Sequence, residues 1–429
     1  MPMNRAGAAS AAATRMGFAE FVALIAAMMA AQAIAIDAML PAFPIIVDAL
    51  HVPKENQVQW ILTFYIAGMG CGQLFWGMMS DRFGRRPVLL GGLGLYVVAA
   101  LLCGFTQSFH VLLAWRFVHG LAAASVTVSR SVIRDLYSGR HMARVMSLTF
   151  VVFLTVPVLA PSLGQLILLM APWRFIFIAC SAYAAIVWLW ALLRLKETLH
   201  PEYRLMLTRS HVAGAVRLVL GNRTSLCYTL ALTVMFGSIL AYVGMVAQIF
   251  SDVFHRAALM PAMFALCAVT MGLAAYMNSR FVERLGMRLI SHTALLVFIG
   301  ITTLHVLVAV LGWEQLWTFV AFQAVTMAFF SLSVSNFGAM AMDPIGSVAG
   351  IGASLQGFVQ SFGGALVGAA IGRLFNGTTV PLAAGALSCG LAALMFVLLA
   401  EKGRLFKRHH AASATGSAAG AAAQGIGLH

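Results

Sequence analysis

Charge is what this sequence lacks most. Of its 429 residues only 9% are Asp, Glu, Lys or Arg, while 61% are hydrophobic. A soluble globular domain carries roughly a quarter charged residues, so water is excluded as the main solvent. Long polar stretches are scarce too. The net charge of +14 therefore has no soluble basic face on which nucleic acid could lie, and nucleic acid is not expected as a partner. Cysteine is sparse: Cys71, Cys103, Cys180, Cys227, Cys267 and Cys389 stand singly inside apolar runs, with no CxxC and no His at metal-ligand spacing. They read as packing residues, with no disulfide framework and no metal site. Also missing are HExxH, a Gly-rich phosphate loop, GxSxG and paired carboxylates, so no enzyme, no catalytic residue and no cofactor is expected.

What is present is a series of apolar runs, hydrophobic all round and long enough to cross about 30 Å of hydrocarbon, which takes about 20 residues. They fall at 18 to 46, 57 to 79, 87 to 106, 110 to 133, 144 to 170 and 173 to 195. A second set covers 224 to 250, 258 to 279, 289 to 311, 314 to 337, 345 to 373 and 379 to 400. Arg5 and Arg15 before the first run, with Ala31-Gln32-Ala33 inside it, imitate a secretory signal. The run continues to Ile36 and the rest of the chain is itself membrane-embedded, so it is read as span 1. The expected fold is an all-α membrane protein of twelve spans in two six-helix bundles, 18–195 and 224–400. A linker at 196–223 joins them, between an N-tail at 1–17 and a flexible Ala/Gly/Ser-rich C-tail at 401–429.

Two echoes support duplicated halves. Asp81-Arg82-Phe83-Gly84-Arg85-Arg86 after span 2 returns as Glu283-Arg284-Leu285-Gly286-Met287-Arg288 after span 8, 202 residues later. Ser162-Leu163-Gly164 in span 5 returns as Ser361-Phe362-Gly363 in span 11, 199 residues later. Such repeats are a transporter organisation, with the substrate site between them near the midplane. With the N-terminus inside, 21 of the 27 Lys and Arg residues fall in cytoplasmic tails and loops, so both termini are expected in the cytoplasm.

Asp37 is the one acid well inside the first-half spans. A charge there costs several kcal/mol on most estimates and normally faces a partner or a watery cavity. The plain alternative is an interfacial position, since Pro41 and Pro44 follow and the helix could end early. In span 4, Arg116, Gly120, Ala123, Thr127, Arg130 and Arg134 recur at steps of three and four and share one face. Arg116 lies about 27 Å from the level of Arg134 and Asp37 about 28 Å from that of Phe18, at a rise of 1.5 Å per residue. The matching depths predict that Asp37 and Arg116 face one cavity and interact, so that protonation of Asp37 is linked to the change of access. A static ion pair is the plain alternative.

The loop from Gly77 through Asp81, Arg82, Gly84, Arg85 and Arg86 to Pro87 reads as a structural latch as well as a topology signal. Pro157-Val-Leu-Ala160-Pro161-Ser-Leu-Gly164 combines kinking prolines with small residues, which suits a bent helix packed closely at a domain contact.

These residues resemble the major facilitator superfamily, and within it the drug-efflux branch associated with bicyclomycin and chloramphenicol resistance, over nearly the whole chain. Gly77 to Pro87 is similar to the loop signature after helix 2. The resemblance implies that Asp81 and Arg85 belong to a cytoplasmic latch closing the halves in the outward-open state, with Arg134 as its partner at the base of helix 4. Arg116-Phe-Val-His119-Gly120 is similar to the helix 4 motif, whose arginine is implicated in proton coupling; His119 stands where Gln is common. Pro157, Ala160, Pro161 and Gly164 resemble the antiporter motif of helix 5, with Ala160 and Gln165 departing from it. Asp37-Ala-Met-Leu-Pro41-Ala-Phe-Pro44 resembles the helix 1 signature of the branch, and Asn336 and Ala349-Gly350 also fit it.

Spans 1, 4, 7 and 10 offer Met29, Gln32, Met235, Tyr242, Gln248, Gln323, Met327 and Phe330 to a substrate cavity, a Met-rich and aromatic group that suits adaptable apolar binding. The expected function is a monomeric proton-coupled antiporter of the inner membrane that exports small lipophilic compounds or antibiotics. Its partners are that substrate, protons and the lipid bilayer. An ion-coupled importer or facilitator of a small metabolite on the same fold is the second reading.

Overall fold

The computed structural model describes residues 16–137, 139–199, 202 and 209–406, a few side chains within them excepted. Among the described residues eleven helices are long and apolar enough to cross a membrane. The remaining predicted span, span 5, is the helix Gly139–Met170, which carries the apolar stretch Val158–Met170. Helices are the natural solution here, because each closes its backbone hydrogen bonds internally where no water is available. Leu169, Ile186, Leu193 and Leu273 stand well exposed on their outer faces, as lipid-facing residues should.

The pairing of spans repeats between the halves. Span 1 packs on span 5 as span 7 packs on span 11; span 2 packs on span 4 as span 8 on span 10; span 3 packs on span 6 as span 9 on span 12. Between the halves, span 2 meets span 11 and span 5 meets span 8. The joints repeat as well. Trp60–Phe83 and Arg85–Phe105 are separated by Gly84 alone, and Met260–Leu285 and Met287–Val310 by Gly286 alone. Gly84 has φ +103° and Gly286 φ +84°, a left-handed conformation that a side chain would strain.

Four regions depart from the sequence expectation. Span 1, read as one run from 18 to 46 with an early end before Pro41 as the alternative, ends its α-helix at Asp37, passes through a 3₁₀ turn at Leu40–Ala42 and resumes as Phe43–Ala49. The cause is proline: Pro41 has no N–H for the Asp37 carbonyl four residues back, and Pro44 none for Leu40. Span 4 tightens to a 3₁₀ turn at Ala124–Thr127 and span 11 loosens to a π turn at Val359–Gly363. The linker, expected to be merely polar, carries a helix at Arg209–Gly221. Its valines at 212, 216 and 219 recur at helical spacing, a pattern that average polarity hides. The tails 1–15 and 407–429 lie outside the described residues.

Candidate functional site

The first half is organised around the backbone of span 1. Tyr183 of span 6 donates to the Ala27 carbonyl at 3.0 Å, Tyr96 of span 3 to Ala31 at 2.7 Å, and Arg116 of span 4 to Ala35 at 3.1 Å. These carbonyls are four residues apart, on one helical face. Tyr65 of span 2 donates to Gln32 beside them at 3.3 Å. Span 1 is rich in Ala at 26, 27, 30, 31, 33 and 35, and so small a surface lets long donors reach the backbone. Ala35 is among the last four residues of the broken helix, whose carbonyls have no partner within it. Arg116 therefore caps the break just before Asp37.

Arg116 is fully buried. Its Nε donates to the Ile61 carbonyl at 3.2 Å, its Nη1 lies 3.2 Å from His119 Nδ1, and its guanidinium sits 4.2 Å from the centroid of the Tyr65 ring. Because a guanidinium only donates, His119 Nδ1 accepts and the ring proton is assigned to Nε2. That nitrogen has no hydrogen-bond partner among the described residues; the ring stands edge-on to Tyr65 and Tyr96. Gly120 follows because a Cβ there would strike the Tyr65 carbonyl.

Asp37 is 5% exposed and makes no ion pair among the described residues. The direct Asp37–Arg116 contact expected from matching depths is not formed in this state. The depths do agree, but Arg116 spends its donors on Ala35, Ile61 and His119. Span 5 packs against the break: a Cβ on Gly164 would strike the Ala38 carbonyl. Ala160 and Pro161 are buried on the same helix, and the Pro157 side chain lies outside the described residues.

At the face carrying the termini, the loop after span 2 forms a closed network. Arg85 Nη1 reaches Asp81 at 2.5 Å and Ser80 at 2.8 Å, and its Nε reaches Asp135 at 3.1 Å. The residue at the base of span 4 that engages the loop is thus Asp135. Arg134, the residue expected there, points to solvent; its charge repels Arg85, whereas the neighbouring carboxylate attracts it. Sequence reasoning also missed Glu197, whose carboxylate accepts from the backbone N–H of Arg85 at 2.9 Å and of Arg86 at 3.2 Å, capping span 3. Arg86 donates to the carbonyls of Leu195 and Leu192, and Arg82 lies over the Phe83 ring. These bonds run within the first half and the first residues of the linker. Gly77 of the loop motif faces the second half, close to Ser354 Oγ.

The face opposite the termini is closed between the halves. Gln59 Nε2 donates to Gln248 Oε1 at 2.7 Å, and Asn56 to the Phe375 carbonyl at 2.9 Å. The Gln59 side chain fills a slot floored by Gly244 of span 7 and Gly372 of span 11. Towards the termini face span 4 opens: Arg116 is fully buried, Thr127 half-buried, and Arg130 and Arg134 exposed. Of the eight residues offered to a cavity, Gln248 belongs to this closure. Tyr242 is buried, stacked on Phe264. Met235 and Phe330 are packed in one cluster with Leu295, Phe298 and Ala393, which makes them core of the second half and not cavity wall. Met29 and Gln32 are half-buried, Gln32 against the Met69 sulfur, and Gln323 and Met327 are buried in span 10.

Residues 21–368 match the Major Facilitator Superfamily. The chain belongs to that superfamily. The transporter is 30% identical to the bicyclomycin resistance protein homolog of Haemophilus influenzae over 360 residues, 81% of this chain and 87% of that one. It is 37% identical to the multidrug resistance protein MdtL of Shigella flexneri over 164 residues, 38% and 42% of the two chains. Among solved structures it superposes on a peptide transporter in complex with sulfate at TM-score 0.71 and 13% identity, over 92% of this chain and 98% of that one. It superposes on a partially occluded inward-open xylose transporter of E. coli at TM-score 0.68 and 12% identity, over 91% and 100%. These two likenesses establish the fold alone. The transporter belongs to a superfamily of carriers, not of enzymes.

Proposed function

We propose that this transporter is a proton-coupled antiporter that exports small lipophilic compounds by alternating access, with Asp37 as the group that exchanges the proton. The observation that carries the reading is a buried carboxylate with no ion-pair partner among the described residues, set at the proline break of span 1, where Arg116 caps the Ala35 carbonyl and Gly164 packs against Ala38. A charged group in hydrocarbon is expensive unless neutralised, so its passage between the two faces is coupled to a proton. The drug-resistance names of the relatives favour export. The domain division at 196–223 is part of the proposal. So is the orientation: 21 of 27 basic residues on the termini side support cytoplasmic termini in the inner membrane. In that orientation the closed face looks outward and the opening beside Arg130 looks to the cytoplasm. Met29, Gln32 and Gln323 remain as candidate substrate contacts; Met327, like Met235 and Phe330, is packed in a core cluster.

One charge falling through 100 mV releases about 2.3 kcal/mol, enough to sustain roughly a 50-fold gradient of a neutral compound. The test is uptake into proteoliposomes with an imposed pH gradient, using lipophilic cations and neutral antibiotics. The wild type should accumulate substrate against its gradient and lose this with a protonophore. Transport that proceeds only downhill and ignores the protonophore would instead make the protein a facilitator.

A further inference from the structure

A cavity of about 550 Å³ opens on the outside of the second half, at the termini face, where span 12 passes the start of span 7. Its wall is one face of span 12, including Leu391, Met395 and Leu398, and its rim carries Arg223 and Lys402. No carboxylate lines it. Neither cation has an ion-pair partner among the described residues, and both are exposed. From Leu391 to Lys402 is eleven residues, about 16 Å along a helix, which is close to half of a hydrocarbon core about 30 Å thick. The groove thus runs from the polar interface to the midplane, the depth of one leaflet, with charge only at its interfacial end.

We propose that this cavity binds an anionic phospholipid, its phosphate between Arg223 and Lys402 and one acyl chain along span 12. Soluble anions need no leaflet-long apolar wall, and a zwitterionic lipid does not use two unpaired cations. The rim is built to keep its charge. Glu401, the acid next to Lys402, is turned inward, where Arg288 Nε reaches it at 2.7 Å and the Tyr228 hydroxyl donates to it at 2.8 Å. The chain then reverses through Lys402 and Gly403, both at positive φ. Gly403 N–H donates to the Leu398 carbonyl at 2.8 Å, and Phe406 N–H to His292 Nδ1 at 3.2 Å. Lys402 is therefore fixed at the rim by its own backbone. Further basic residues follow at Arg404, Lys407 and Arg408, and basic pockets and clusters beside membrane helices are where anionic headgroups gather.

The experiment is native mass spectrometry of the full-length transporter in detergent, titrated with phosphatidylglycerol or with phosphatidylcholine of the same acyl chains. Each cation near a lipid headgroup contributes about five-fold, so the wild type should prefer phosphatidylglycerol by roughly 30-fold for the two. Arg223→Gln with Lys402→Gln, both surface positions, should bring that preference to within about two-fold of parity. Met395→Trp, which fills the groove and leaves the cations in place, should weaken phosphatidylglycerol binding as well. A wild type without the preference, a double variant that keeps it, or a filled groove that binds as before would each overturn the proposal.

Discussion

Gly164 of span 5 lies so close to Ala38 that any side chain at 164 would strike the Ala38 carbonyl. The contact joins the small-residue motif of one helix to the proline break of another, one residue beyond Asp37. The second half holds a counterpart, because a Cβ on Gly363 of span 11 would meet Thr233 of span 7. Close approach of small residues is what brings membrane helices together, since lipid tails are as apolar as leucine.

Replacing Gly164 tests that contact. Gly164→Ala should destabilise the protein by about 1–3 kcal/mol, the usual cost of overpacking a well-filled site. Thermal unfolding in detergent measures it. Gly300, beside which nothing stands within 4 Å, should accept Ala without loss.

Arg116 should resist replacement even by lysine. Lysine is a point charge and cannot serve the diverging acceptors at Ala35, Ile61 and His119. Arg116→Lys should cost about 1–3 kcal/mol for the acceptors left unsatisfied, and should raise the accessibility to thiol reagents of a cysteine placed at Asp37.

Much of this arrangement was legible in the sequence and part of it was not. The spans, the repeat at 202 residues and the depth of Arg116 followed from hydropathy and helical rise. The direct Asp37–Arg116 contact did not follow, because depth fixes a level in the membrane and leaves open which acceptor a guanidinium takes. The anchoring of span 1 by Tyr65, Tyr96 and Tyr183 was invisible, since backbone carbonyls leave no trace in side-chain patterns. Asp135 and Glu197 lie just past the ends of spans 4 and 6, outside every motif the sequence offered. The signal that would have found Asp135 is charge: Arg85 needs a carboxylate at the base of span 4, and Arg134 cannot supply one.

The loop network separates these neighbours. Asp135→Asn should loosen the packing of Arg85 and lower stability by about 1.5–3 kcal/mol, the range for a hydrogen bond to a charged group. Arg134→Gln, at an exposed site, should stay within about 0.5 kcal/mol of wild type. Chemical unfolding of both variants under one condition decides between the two residues.

Gln59 and Gln248 clasp the face opposite the termini. Gln59→Ala removes that bond, and at about 0.5–1.5 kcal/mol should raise the ratio of open to closed molecules roughly 2- to 12-fold. Gly372→Ala should act in the same direction, because its methyl group takes the place of the Gln59 side chain. Spin labels on either side of that face read the opening as a longer distance.

The central claim rests on Asp37, and proton release on substrate binding tests it most directly. Purified wild type in weak buffer, mixed with a lipophilic cation that it binds, should release protons in proportion to occupancy, while Asp37→Asn binds the same compound and releases none. Equal release from both proteins, or binding without release by the wild type, would contradict the assignment of Asp37 as the exchanging group.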